Sequence, residues 1–109
     1  MTTVTITKSS DDNFKKIEVK GHAGYGELNK DIVCSAISTM TITLVNSIEK
    51  LTDDWFSGSV DPDNGIITLE LSENPSKEAD LLCRSFELGV TGISKQYGKK
   101  FLNIKFRRE

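Results

Sequence analysis

Asp31-Ile32-Val33-Cys34-Ser35-Ala36-Ile37-Ser38-Thr39-Met40-Thr41-Ile42-Thr43-Leu44-Val45-Asn46-Ser47-Ile48-Glu49-Lys50-Leu51 is the stretch on which the fold turns. Val33, Ile37, Met40, Leu44, Ile48 and Leu51 follow one another at intervals of 4, 3, 4, 4 and 3 residues. That spacing predicts one buried stripe along a helix of roughly twenty residues. Asp31 has the short acidic side chain of an N-cap, which puts Cys34 in the first helical turn. The side opposite the stripe begins with Cys34, Ser38 and Thr41, small and polar.

The flanking sequence changes period. Residues 2–7 are β-branched and alternating, residues 9–13 form a turn cluster, and residues 14–21 alternate again, so the chain opens with a hairpin. Between 21 and 30, Gly21, Gly24 and Gly26 surround His22 and Tyr25 without any apolar period, which predicts a loop. Beyond the helix, Trp55 and Phe56 are expected to pack at its exit, and residues 56–60 to form a short strand. The turn Asp61-Pro62-Asp63-Asn64-Gly65 follows, in which Asn64-Gly65 signals a hairpin, and residues 66–71 alternate as the answering strand. Ser76 is the expected cap of a second helix with Ala79, Leu82, Cys83, Phe86, Val90, Ile93 and Tyr97 on its apolar stripe, and Gly98 suits its end. Residues 101–106 close the chain as a strand. The order is ββαββαβ, which predicts an α/β fold of the α+β type. Residues 1–109 would form one domain, a mixed sheet with two main helices packed on it.

At 109 residues and 12.1 kDa the chain is long enough for one core without staples. A formal net charge of −2 and a pI near 5.4 argue against a general polyanion binder. Two cysteines are too few for a disulfide framework, and with a single histidine they do not fill a four-ligand zinc site. The first twenty residues carry Lys8, Asp11, Asp12, Lys15 and Lys16 and do not read as a signal peptide. No stretch is expected to reach the roughly 20 apolar residues of a membrane span. A cytoplasmic protein with reduced thiols follows, with no cofactor and no metal expected.

Chemistry concentrates at His22, Asp31 and Cys34. A thiol is a weak nucleophile until it ionises, and a helix start or a nearby imidazole favours the thiolate. The only histidine lies upstream with eleven residues intervening, on a loop able to fold back toward the sulfur, which would pair a nucleophile with its acid/base partner. Cys34 as a small hydrophobe on a helix and His22 as a surface loop residue are the plainer alternatives. Asp31 either caps the helix or orients His22 as the third member of a triad. Cys83 reads as core. Lys99, Lys100, Lys105, Arg107 and Arg108 make the last strand basic, which suits a charge-protected edge or an RNA-facing patch.

Gly21-His22-Ala23-Gly24-Tyr25-Gly26-Glu27 followed by Asp31-Ile32-Val33-Cys34-Ser35-Ala36-Ile37-Ser38 resembles the ribosomal-processing cysteine protease (Prp) family. Length and element order are similar as well, so the resemblance spans the chain. It implies a cytoplasmic bacterial endopeptidase, usually homodimeric, that removes a short N-terminal extension from a large-subunit ribosomal protein. Neither a membrane nor direct nucleic-acid contact is required. By the same resemblance Cys34 is the nucleophile and His22 the general base, while Asp31 and Ser38 match recurring positions whose roles it does not fix. Ser35 departs from the family's common alanine. Backbone N–H groups at the helix start, that of Cys34 included, are the expected oxyanion donors. Two other classes compete: a non-enzymatic ribosome-assembly or RNA-binding module using the basic last strand, and a thiol-based redox sensor.

Overall fold

The computed structural model describes residues 1–21 and 28–109, and of residues 28–31 the backbone. Seven elements follow in the order β1 (Thr2–Lys8), β2 (Phe14–Lys20), α1 (Leu28–Leu51), β3 (Phe56–Asp61), β4 (Ile66–Leu71), α2 (Lys77–Tyr97) and β5 (Leu102–Arg108). The five strands form one sheet in the order β3-β4-β2-β1-β5. β1 and β5 run parallel and the other pairs antiparallel, so the sheet is mixed, as the alternation of strands and helices predicts.

Register explains the core. Val4 faces Val19 and Ile6 faces Ile17 across β1 and β2, and Ile17 faces Leu69 of β4. With Leu71 and Leu102, these side chains form one apolar face. Both helices lie on it, α1 with Val33, Ile37, Leu44 and Ile48, and α2 with Cys83, Phe86 and Val90. The helices meet where Gly89 of α2 lets the Met40 methyl close against its backbone. The other face of the sheet carries Thr3, Thr5, Lys16, Glu18 and Lys20, as the period of two requires.

α2 begins and ends as its sequence predicts. Ser76 Oγ accepts the Ala79 amide at 3.1 Å, and the Gly98 amide donates to the Ser94 carbonyl at 2.8 Å. β5 is an edge strand, and Arg108 pairs with Asp12 of the β1–β2 turn at 2.7 Å. Part of the basic C-terminal charge therefore fastens that edge.

α1 departs from expectation in four ways. First, it starts at Leu28, so Asp31 is its fourth residue and not its cap, and Cys34 its seventh, in the second turn. Leu28, Asn29 and Lys30 contain no breaker, and an acidic residue suits a first turn as well as a cap. Residues 28–30 of the predicted loop are thus helical, and residues 22–27 lie outside the described residues. Second, Thr41 is 2% exposed and donates to the Ile37 carbonyl at 2.7 Å, so the Cys34–Ser38–Thr41 side adjoins the apolar stripe instead of opposing it. Third, Leu51 and Trp55 are exposed, and only Phe56 packs on the core. A 24-residue helix is about 36 Å long and a seven-residue strand about 23 Å, so α1 overruns the sheet. Fourth, Ile32–Leu51, with hydropathy 1.4, is long and apolar enough to cross a membrane by length and composition. No charged residue stands between Asp31 and Glu49, because the helix builds its polar side from serine and threonine. In this fold the stretch lays its stripe on the sheet.

Candidate active site

The site forms where β1, β2 and β4 meet the N-terminal part of α1. The pairing of Thr3 with Lys20 brings Thr2 opposite Gly21, and that of Lys20 with Ile66 brings Gly21 opposite Gly65. The Gly21 amide donates to the Gly65 carbonyl at 3.1 Å, extending the ladder past the ends of both strands. This row of small residues lies beneath α1, and a cavity of about 140 Å³ opens between them. Thr2, Gly21 and Gly65 border it from the sheet together with Val19 and Ile67, while Cys34, Ile37 and Ser38 border it from the helix. It has room for several waters or a small side chain.

Cys34 is half-buried, and its Sγ lies 3.4 Å from the hydroxyl of Thr2. Thr2 is only 3% exposed and was legible merely as a strand residue. The available signal was its alternation: it shares the inner face with Val4 and Ile6, which puts a hydroxyl among apolar neighbours. Ser38, one turn beyond Cys34, is exposed and borders the same cavity. Asp31 lies on α1 one turn before Cys34 by its backbone, and His22 falls outside the described residues. Gly21, covalently next to His22, is described and borders the cavity.

The second-turn position of Cys34 removes one expected source of activation. Helix-dipole stabilisation falls off within the first turn. The Cys34 amide, four residues beyond Lys30 in a regular helix, is spent in the ladder and is not an oxyanion donor.

Cys83 behaves oppositely. It is fully buried, and burial, helped by the negative charges of Asp80 and Asp54, pushes its thiol up to about 12. It stays protonated at neutral pH and is core, as its stripe position predicts. A larger groove of about 1250 Å³ lies at the far end of β1, against α2. Among the described residues it is lined by Lys8, Asp12, Lys77, Arg84 and Glu87 with others, and by no thiol. Its size therefore does not make it the catalytic centre. Among the described residues no three His, Cys, Asp or Glu side chains converge to hold a metal ion.

Relatives share both the sequence pattern and the architecture. The profile of the family described as cysteine protease Prp matches residues 1–102. The ribosomal processing cysteine protease Prp of Staphylococcus aureus is 28% identical over 106 residues, covering 96% of this chain and 100% of that protein. The protein of the same name from Bacillus subtilis is 26% identical over 101 residues, covering 89% and 90%. Among solved structures, SMU.848 from Streptococcus mutans superposes with a TM-score of 0.88 at 32% identity, covering 100% of this chain and 96% of that one. The S. aureus Prp with a covalently linked product peptide superposes with a TM-score of 0.87 at 25% identity, covering 98% and 100%. The chain belongs to the Prp family of cysteine proteases.

Proposed function

We propose that this protease removes a short N-terminal extension from a large-subunit ribosomal protein, in the cytoplasm and as a homodimer, with Cys34 as nucleophile and His22 as general base and acid. The observation that carries this reading is the Cys34 thiol, half-buried at a cavity that Gly21 borders immediately before His22 in the chain. Support for the substrate class comes from the relatives, which are named for ribosomal processing, and from the S. aureus structures with substrate and product peptides.

In this mechanism neutral His22 takes the Cys34 proton, leaving thiolate and imidazolium. The thiolate attacks the scissile carbonyl carbon, and the carbonyl electron pair moves to oxygen. As the tetrahedral adduct collapses, the C–N bond breaks and the imidazolium protonates the departing amine. A thioester remains on Cys34. His22 then deprotonates a water that attacks the thioester, and the acid product leaves as the thiolate re-forms. Asp31 orients the imidazole, and Ser38 meets the bound peptide at the cavity rim.

The test is incubation of the protein with the N-terminally extended ribosomal protein of its own organism, with the product N-terminus read by mass spectrometry. Wild type cuts once, and Cys34→Ala and His22→Ala each abolish the cut while keeping the wild-type circular dichroism spectrum. An uncut substrate, or cutting that survives in Cys34→Ala, sinks the reading. Light scattering on the eluted protein checks the dimer.

A further inference from the structure

We propose that Thr2 is a positioning residue for the nucleophile: its hydroxyl donates to the Cys34 sulfur and favours the thiolate over the thiol. The inference rests on the reading of Cys34 as nucleophile.

The contact is direct, 3.4 Å from Oγ1 to Sγ, and the hydroxyl is held where it stands. The Thr2 amide donates to the Phe101 carbonyl at 3.0 Å, and Thr2 pairs with Leu102 in the parallel ladder. Its β-branched side chain has few rotamers available. Across the sheet, a Cβ on Gly21 would lie 2.6 Å from the hydroxyl oxygen and 3.1 Å from Thr2 Cβ and Cγ2. The absence of a side chain at position 21 therefore makes the room that the hydroxyl occupies.

Packing alone does not call for that hydroxyl. Val4 and Ile6 follow Thr2 on the same face and are fully buried, so valine would fill the same space. A buried hydroxyl costs free energy unless it is bonded. A neutral thiol is a weak acceptor, whereas a hydrogen bond to an ionised acceptor is roughly twice as strong as a neutral one. A thiolate has no proton to give, so in the ionised state the hydroxyl is necessarily the donor, and the bond strengthens as the charge forms. Because Cys34 lies beyond the first turn of α1, this hydroxyl supplies a stabilisation that the helix start does not.

Alkylation of Cys34 by iodoacetamide, followed across pH by peptide mapping, tests the proposal without reference to proteolysis. Thr2→Val should move the profile to higher pH, slow alkylation at pH 7 about fivefold and leave the high-pH plateau unchanged. Thr2→Ala, which also lacks the hydroxyl, should shift the profile the same way, and Thr2→Ser should restore it. Cleavage of the extended substrate by Thr2→Val should fall at pH 7 and recover at higher pH. Profiles that superimpose, or move to lower pH because the thiol was donating to the hydroxyl, overturn the proposal. In that case Cys34→Ala still abolishes cutting and the protease reading stands. Cutting that survives in Cys34→Ala removes the reading itself, and the positioning role with it.

Discussion

Gly65 and Gly21 meet backbone to backbone: the Gly21 amide donates to the Gly65 carbonyl at 3.1 Å, and a Cβ on Gly65 would run into the Gly21 carbonyl oxygen. Gly65 also has φ 64°, in the left-handed region. Two separate costs therefore oppose any side chain at position 65. Left-handed backbone alone costs a non-glycine residue about 1–3 kcal/mol, and the overlap adds to it because the atom met is backbone and not the movable end of a side chain. Gly65→Ala should lower the melting temperature by several degrees or more. Gly65→Asn separates the two costs, since asparagine tolerates the left-handed region. It should be nearly as damaging as alanine, and an asparagine variant as stable as wild type would show that the overlap is relieved cheaply.

The start of α2 rests on two hydrogen bonds from different parts of the chain. Ser76 Oγ accepts the Ala79 amide at 3.1 Å, and Asp54 Oδ2 accepts the Ser76 amide at 2.7 Å across 22 residues. Ser76→Ala should cost about 1 kcal/mol, the usual worth of a cap. Asp54→Ala should also destabilise, because it leaves the Ser76 amide without this acceptor. Residues sharing one hydrogen-bonded corner couple, so the double variant should lose less than the two single losses added together. Urea unfolding of the three variants measures this, and strict additivity would show that the corner does not act as a unit.

The contrast between the two helices explains what the sequence makes legible. α2 is bounded by residues whose chemistry has one use there, Ser76 as cap and Gly98 as exit, and its stripe faces a charged outer side. α1 has neither marker. Asp31 is acceptable both as a cap and within a first turn, so local chemistry did not locate its start. Its serines and threonines give little contrast between the inner and outer sides, which hid the burial of Thr41. The hairpin at Asn64-Gly65 was legible because its turn requires a positive φ. Cys34 stands out in the sequence as a candidate by type and setting, and the cavity it borders is visible only in the fold. The contact of Cys34 with Thr2 was not legible, since it joins residues 32 apart through strand register and helix placement.

The β1–β2 turn is tied to the end of the chain through Asp12 and Arg108, 2.7 Å apart. The hydrogen bond from Arg108, followed by the charges of Lys8 and Arg108, holds the Asp12 carboxyl below its ordinary 3.8. A carboxyl depressed on folding contributes stability above its unfolded value, and that contribution is lost as pH falls through the folded value. The window therefore lies below pH 3.8. Both side chains are exposed, so the effect belongs to the titration more than to overall stability. In Arg108→Ala the Asp12 carboxyl, followed by NMR, should titrate closer to 3.8. A midpoint unmoved by that substitution would show that the pair does not persist in solution.

Cys83 supplies a pH dependence of the opposite sign. Burial, then Asp80 and Asp54, raise its thiol from 9.0 to about 12 in the folded chain. Below pH 9 the folded and unfolded states both keep the proton, and stability is unaffected. Between 9 and 12 the unfolded chain releases a proton that the folded chain retains, so unfolding is favoured increasingly as pH rises. The limiting slope is about 1.4 kcal/mol per pH unit. Lysines and tyrosines titrate in the same range, so the informative quantity is the stability difference between wild type and Cys83→Ala. That variant loses packing at every pH but has no thiol to ionise. The wild-type advantage measured by urea unfolding at pH 8 should shrink by about 1.4 kcal/mol at pH 10. Under the same conditions iodoacetamide should reach Cys83 only as urea unfolds the chain. An advantage that stays constant between the two pH values would mean that the thiol ionises as readily inside the core as outside it, and that the core around Cys83 admits water.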